Sequence, residues 1–155
     1  MTNCDPRLQF VEEIGLFFNQ SGLTRMAGRI LGWLLVCDPP HQSMSDMASV
    51  LQASKGSISS MTRFLIHIGL VERVCLPGER RDYFRIRPGA WVELMQAKAA
   101  EITRLRRLAE QGLDVVNGDD PALRERLETM RDMALFLEDE FPALLQRWQG
   151  ELRRA

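Results

Sequence analysis

Residues 45 to 69 read SDMASVLQASKGSISSMTRFLIHIG, and this stretch decides the fold. Ser45 is placed to cap the start of a helix of about two turns, and Ser54 is placed to cap a second helix that stops at Gly69. Only a few residues join the two helices. A short capped helix, a tight connection and a longer second helix predict a helix-turn-helix unit.

The second of these helices has two different faces at about 100° per residue. Its apolar residues share one side, and the opposite side is small and polar. A helix that enters a DNA major groove about 12 Å wide favours small residues and a few side chains that reach base edges or phosphates. A merely solvated face would more often carry Glu and Lys, so we interpret the polar face as a DNA-reading surface. Its members are Gly56, Ser59, Ser60, Arg63 and His67.

Beyond this helix the apolar residues recur with a period of two, which predicts a pair of strands over residues 71–76 and 83–87. Pro77-Gly78 between them favours a turn, and Arg80 and Arg81 then lie at the tip of a hairpin. Arginine can enter a narrow minor groove or bind phosphate. The hairpin is therefore interpreted as a DNA-binding wing, although exposed hairpins commonly carry charge for other reasons.

Charge is unevenly distributed along the 155 residues, whose net charge is −1. Residues 54–90 carry seven basic and three acidic side chains, a net charge of +4, and we call this segment the basic island. The segments before and after it are both net negative. This layout is typical of a protein that binds nucleic acid through its middle, and the alternative is a solvated arginine-rich stretch.

The rest of the chain is predicted to be helical. One helix runs from about Leu8 to Gln20, a second begins near Thr24 and ends before Asp38, and helical spacing returns from Trp91 onward. Asn117-Gly118 predicts a turn before a last helix capped by Asp120, and Pro142 predicts a kink or a new short helix.

The last helix carries apolar residues at alternating three- and four-residue steps, which is the spacing of a helix that buries a seam on another helix. The seam is longer than a small helix-turn-helix unit needs for its own core. We predict a dimer interface there, with packing inside one chain as the alternative. The predicted interface residues are Leu8, Val11, Leu127, Met130, Leu137, Phe141, Leu144 and Trp148.

Composition excludes several other classes of protein. With 45% hydrophobic and 26% charged residues the chain is typical of one ordinary globular domain. Cys4, Cys37 and Cys75 form no C-x-x-C motif, which argues against a disulfide framework or a zinc site and favours a reducing cytoplasm. The longest apolar run is far shorter than the ~20 residues that span a bilayer. No set of catalytic residues, phosphate loop or metal cluster can be assembled, so we expect no enzyme, cofactor or metal.

The motifs together resemble the MarR family of bacterial transcriptional regulators, and the closest resemblance is to its GbsR-like branch. The resemblance rests on Ser54-Lys55-Gly56-Ser57-Ile58-Ser59, on Pro77-Gly78-Glu79-Arg80 and on Arg25-Met26-Ala27-Gly28-Arg29-Ile30-Leu31-Gly32. It implies a homodimer that binds a palindromic operator and is often released by a small ligand. Carried over by position, it places Lys55, Ser57, Ser59, Ser60, Arg63, Arg80 and Arg81 on DNA, and we add Ser54 at the cap.

The predicted fold is mainly α with a small β-hairpin wing, a winged helix-turn-helix flanked by N- and C-terminal dimerisation helices. We expect a single MarR-like domain over residues 1–155, with the DNA-binding lobe at 24–90 and the dimerisation helices at 1–20 and 91–155. The expected function is a cytoplasmic, homodimeric repressor with double-stranded DNA as partner. The alternative is a winged-helix module that binds protein without reading DNA.

A small-molecule effector has weaker support. Aromatic faces bind quaternary ammonium compounds, which some relatives sense, but aromatic residues at helical spacing are more often core. The predicted pocket residues are Phe17, Met26, Trp33, Trp91 and Met95. Redox sensing occurs among relatives, and of the three cysteines only Cys75, beside Arg73, approaches the electropositive setting that a reactive thiolate needs.

Overall fold

The computed structural model describes residues 5–116 and 120–154 of the chain. Its contacts divide the chain into two units, Met1–Trp91 and Val92–Ala155. The mainly helical fold with a small wing is confirmed. The helices are α1 Pro6–Gln20, α2 Arg25–Val36, α3 Met44–Val50, α4 Lys55–His67, α5 Ala90–Val115 and α6 Pro121–Leu152; the strands are β1 Gln42–Ser43, β2 Val71–Cys75 and β3 Asp82–Ile86.

Helices α1 and α2 pack closely in the first unit. Helix α2 begins beside Thr24 as predicted, and the Thr24 hydroxyl caps it by accepting a hydrogen bond from the Ala27 N–H. The two helices approach at Gly15 and Gly28, where a Cβ added to Gly28 would lie 2.9 Å from the Gly15 Cα. That separation is shorter than two carbon atoms tolerate, so the contact depends on glycine.

Replacing Gly28 with alanine is expected to lower the free energy of unfolding by about 1–3 kcal/mol, because backbone must move to admit the methyl group. That figure is the cost of the steric clash alone, and the higher helix propensity of alanine offsets about 1 kcal/mol of it. Urea unfolding measures the change. Gly56→Ala is the control, since nothing lies within 4 Å of an added Cβ there, and we expect it to stabilise the protein. A gain of stability in both variants would contradict the close approach.

The cap of α3 differs from the prediction. Ser43, and not Ser45, is the N-cap: its hydroxyl accepts from the Asp46 N–H, and the Asp46 carboxylate accepts in turn from the Ser43 N–H. This reciprocal capping box satisfies two helix-end donors at once, which a cap at Ser45 would not do. Helix α4 begins after Ser54 as predicted, with the Ser54 hydroxyl accepting from the Ser57 N–H at 3.1 Å.

The wing belongs to a sheet of three strands and not to an isolated pair. Its order is β1-β3-β2 and both pairings are antiparallel. The short strand β1, which the sequence analysis missed, is anchored to α2 because the Trp33 indole N–H donates to the Gln42 side-chain carbonyl. β3 ends at Ile86, one residue before the predicted end.

The second unit is built from helices of 26 and 32 residues, α5 and α6. Ala109 and Ala134 are fully buried, and a Cβ on Gly112 would meet Leu127 at 2.9 Å. Helix α6 continues through Pro142, so the predicted alternative of a new short helix there is wrong. The predicted turn at Asn117-Gly118 lies outside the described residues.

Arg106 connects the two long helices. Its guanidinium donates to Glu110 on α5 and to Glu138 on α6, each at 2.7 Å. The Thr103 hydroxyl and the Arg106 guanidinium bind the Glu138 carboxylate and hold the pKa of Glu138 below its usual range.

None of the helices in the described residues combines the length and the apolar character that a membrane span needs.

Because the Glu138 pKa is lower in the folded chain than in the unfolded chain, Glu138 stabilises the fold at neutral pH. This contribution is complete above the pKa of the unfolded carboxyl and is lost as the pH falls through the lower folded pKa. Glu138→Gln is expected to flatten the acid limb of a stability-versus-pH curve measured by urea unfolding. Glu140→Gln, at an exposed position of the same helix, is the control. Superimposable curves for the two variants would contradict this assignment.

Candidate nucleic-acid interface

Helix α4 separates its two faces in the way a recognition helix requires. Ile58 and Leu65 are fully buried on its inner side. Thr62 is also buried, and its hydroxyl has no hydrogen-bond partner in the described part of the chain. Periodicity did not single out Thr62, because threonine is common on either face of a helix. The outer side is free to meet a ligand.

The structure exposes most of the predicted DNA-contacting residues. Ser57 and Ser59 are partly buried. The exposed ones are Ser54, Lys55, Gly56, Ser60, Arg63, His67, Arg80 and Arg81. The Arg63 Nε donates to the Ser59 carbonyl oxygen at 3.4 Å, which lays its guanidinium along the helix surface. Exposure is what a direct contact needs, and the contacts themselves stay a prediction.

The tip of the wing is shaped by a tight turn. The Glu79 N–H donates to the Leu76 carbonyl oxygen at 3.1 Å, with Pro77 and Gly78 as the central residues. Gly78 has φ +82°, a left-handed conformation that side chains disfavour. The turn delivers Arg80 and Arg81 to exposed positions at its end.

Two arginines of the basic island form ion pairs with acidic residues of the wing. Arg73 pairs with Asp82 at 3.3 Å, and Arg85 pairs with Glu72 at 2.7 Å, both across the β2–β3 ladder. The amino-acid sequence does not distinguish these arginines from the other basic residues of the island, because the strand register that brings them beside acidic residues is not visible in it. Within residues 5–116 and 120–154, the cations of the island without an acidic partner include Lys55, Arg63, Arg80 and Arg81.

A cavity of about 450 Å³ joins the recognition helix to the wing. Lys55 and Ser59 line it from α4, and Arg81 lines it from the hairpin. The remaining lining residues are Ser43, Met44, Ser45, Asp82 and Phe84. The start of α3 lies here because of how the sheet packs, and no local sequence pattern predicts that proximity. Two cations and several hydroxyls in one concave surface suit an anionic backbone.

The predicted effector residues occupy different environments. Trp33 is buried with its indole N–H already bonded, whereas Phe17 and Trp91 are exposed. Met26 is half-buried, with its sulfur 3.9 Å from Arg29. Met95 lines a cavity of about 410 Å³ in the second unit together with Phe141 and Trp148. The effector pocket as a whole stays a prediction.

The predicted dimer residues are also mixed. Val11 is fully buried in the first unit, where its backbone lies 3.1 Å from a Cβ placed on Gly32, so Val11 offers no surface to a second chain. Leu144 and Trp148 are about half exposed, at 50% and 49%. The partly buried residues of the set are Leu8, Leu127, Met130, Leu137 and Phe141.

The two described cysteines differ in environment. Cys37 is buried, and burial together with the nearby Asp38 charge raises the pKa of its thiol, which makes it a poor nucleophile. Cys75 is exposed on β2, and both thiols are free. Cys4 lies outside the described residues. No group of potential metal ligands occurs in the described part of the chain.

A short capped helix, a second helix with a polar outer face and a basic hairpin define a winged helix-turn-helix DNA-binding protein. A sequence profile of MmpR5-like MarR family transcriptional regulators matches residues 89–151. The HTH-type transcriptional regulator MmpR5 of Mycobacterium tuberculosis is 41% identical over 141 residues, which cover 91% of this chain and 86% of that protein. A crystal structure of a transcriptional regulator is 40% identical with a TM-score of 0.76, and the match covers 94% of this chain and 99% of that chain.

The chain belongs to the MarR family of transcriptional regulators, with its matches in the MmpR5-like group. The predicted family and the predicted DNA-binding, transcription-regulating role are confirmed at this level.

Proposed function

We propose that this regulator acts as a homodimeric repressor that binds a two-fold symmetric operator in the cytoplasm. The observation that carries the proposal is the set of exposed cations on α4 and on the wing, Lys55, Arg63, Arg80 and Arg81, which have no acidic partner in the described residues. A cation without an acidic partner contributes more to the free energy of DNA binding than a paired one, because its contact with a phosphate releases condensed counterions from the DNA. Their division between a helix and a hairpin suits simultaneous contact with a major groove and the flanking minor groove.

Dimerisation is supported by the apolar surface of α6. Leu144 and Trp148 remain about half exposed although both continue the apolar seam of that helix. Large apolar side chains aligned along one helix mark an interaction surface. Two copies related by a two-fold axis would read half-sites about 10 bp apart or a multiple of that.

Three parts of the prediction rest on the family resemblance alone: repression as opposed to activation, release by a small ligand, and membership of the GbsR-like branch. All three stay predictions. Selection of binding sites from genomic fragments identifies the operator. Transcription in vitro from a promoter that contains the selected site then tests repression. Increased transcription on adding the protein would contradict the repressor role and leave DNA binding intact.

Arg63→Ala is expected to weaken operator binding by about 1–3 kcal/mol, the typical value for one base or phosphate contact. Folding should be unchanged, because the Arg63 side chain is exposed and its one described hydrogen bond is to the Ser59 carbonyl of its own helix. Fluorescence anisotropy with labelled operator measures the affinity, and Arg7→Ala removes the same charge from α1 as a control. Wild-type affinity in the Arg63 variant would exclude this residue from the interface.

Salt dependence tests the alternative of a protein-binding module. A DNA-binding face predicts a steep fall of affinity with salt, since each phosphate contact releases counterions. A shallow slope, or no binding to any selected fragment, would favour a protein partner at the same surface.

A further inference from the structure

Arg29 lies at a meeting point of three helices in the first unit. From α2, its Nε donates to Oε1 of Glu12 on α1 at 2.7 Å. Its Nη2 donates to the Leu51 carbonyl oxygen, at the end of α3, at 3.0 Å. The side chain is only 20% exposed, so both bonds form in a partly dehydrated setting where hydrogen bonds to a charged group are strong.

The carbonyl that Arg29 holds belongs to the turn of the helix-turn-helix. Leu51 is the C-cap of α3, and Gln52 after it has φ +49°, a left-handed conformation that is unfavourable for a residue with a side chain. Ser54 then caps α4. The angle between α3 and the recognition helix α4 is therefore determined by the short turn from Leu51 to Ser54. Arg29 binds Leu51, the first residue of that turn.

Glu12 orients Arg29 from the other side. Its second oxygen accepts from Arg25 at 2.8 Å, so two arginines one helical turn apart share one carboxylate. Burial raises the pKa of Glu12, but the hydrogen bonds and charges of Arg25 and Arg29 outweigh that effect and leave the pKa below its usual range. Glu12 is therefore ionised at neutral pH.

We propose that Arg29 is a positioning residue for DNA recognition: it ties the turn between α3 and α4 to α1 and thereby sets the orientation of the recognition helix. This inference rests on the proposed use of α4 to read an operator. Arg29 acts through the Leu51 carbonyl and does not contact DNA.

Arg25 provides a matched comparison. It shares Glu12 with Arg29 and carries the same charge, but it is 56% exposed, and Glu12 is its one side-chain partner among the contacts described. If Arg29 served only to pair α1 with α2, replacing Arg29 or Arg25 would have similar effects on DNA binding. A positioning role predicts an effect on DNA binding from Arg29 alone.

The test compares Arg29→Met and Arg25→Met in the full-length protein for operator affinity, salt slope and melting temperature. We expect Arg29→Met to bind the operator roughly tenfold more weakly, as loss of a charged hydrogen bond to a backbone carbonyl implies, and Arg25→Met to stay within about twofold of wild type. The slope of log affinity against log salt should be unchanged in both, because no phosphate contact is lost.

Arg29→Lys keeps the charge on a single nitrogen and so cannot reproduce both bonds of the guanidinium. We expect it to retain the fold and to bind with intermediate affinity, which keeps the inference testable if Arg29→Met does not fold. Equal affinities for the folded Arg29 and Arg25 variants would overturn the positioning role. Failure of the wild-type protein to bind duplex DNA would instead contradict the proposed function.

Discussion

Leu144→Glu combined with Trp148→Glu is expected to convert the proposed dimer into monomers and to weaken operator binding by about a thousandfold or more. Both side chains are about half exposed on α6, so the substitutions place two carboxylates on the predicted interface. A monomer engages one half-site only, and its affinity falls toward the nonspecific level. Analytical ultracentrifugation measures assembly, and anisotropy with labelled operator measures binding.

Gln146→Glu is the control for this pair, because it adds a negative charge at an exposed polar position of the same helix. Unchanged circular dichroism would show that the double variant remains folded. A double variant that still sediments as a dimer would place the interface elsewhere. A monomeric double variant that keeps its operator affinity would show that DNA binding does not need two copies.

Arg80→Ala combined with Arg81→Ala is expected to weaken DNA binding broadly, by about 1–3 kcal/mol for each arginine per protomer, and to lower the steepness of the salt dependence. If each arginine neutralises one phosphate, the slope of log affinity against log salt falls by roughly 3 to 4 for a dimer. Discrimination between operator and other sequences should change less, because we expect the wing to contact mainly the phosphate backbone.

The wing supplies its own matched control. Arg73→Gln combined with Arg85→Gln removes the same charge from the hairpin, but these two arginines are already paired with Asp82 and Glu72. We expect the control to leave the salt slope close to that of the wild type. The same loss of slope in both double variants would show that overall charge, and not the position of Arg80 and Arg81, attracts DNA.

The helix boundaries that depend on neighbouring residues were predicted well. Ser54 caps α4 as predicted, and α2 begins beside Thr24 as predicted, because a capping side-chain oxygen needs only the N–H three residues ahead. The start of α3 was misplaced at Ser45, although Ser43 with Asp46 three residues later carries the capping-box signal. That error was avoidable from sequence.

The candidate interface was predicted in part. Periodicity separated the polar face of α4 from its buried face, and both Ser60 and Arg63 are exposed as that interpretation needs. Strand β1 was missed because two residues carry no periodic pattern, and their structure comes from pairing with β3 far along the chain. The cavity that adds Ser45 and Phe84 to the interface depends on the same pairing.

The sequence by itself determined which of the longer segments are helix or strand, where most of them begin, and which segment is basic, because these properties depend on residues within a few positions of each other. Only the tertiary structure decided which charges are available. Arg85 pairs with Glu72 directly opposite it in the strand register, and Arg73 pairs with Asp82 diagonally across the same two strands. Arg29 reaches Leu51 because α2 passes beside the turn. Ion pairs and backbone contacts of this kind join residues far apart in the chain, and chain order alone does not specify their register or their helix crossings.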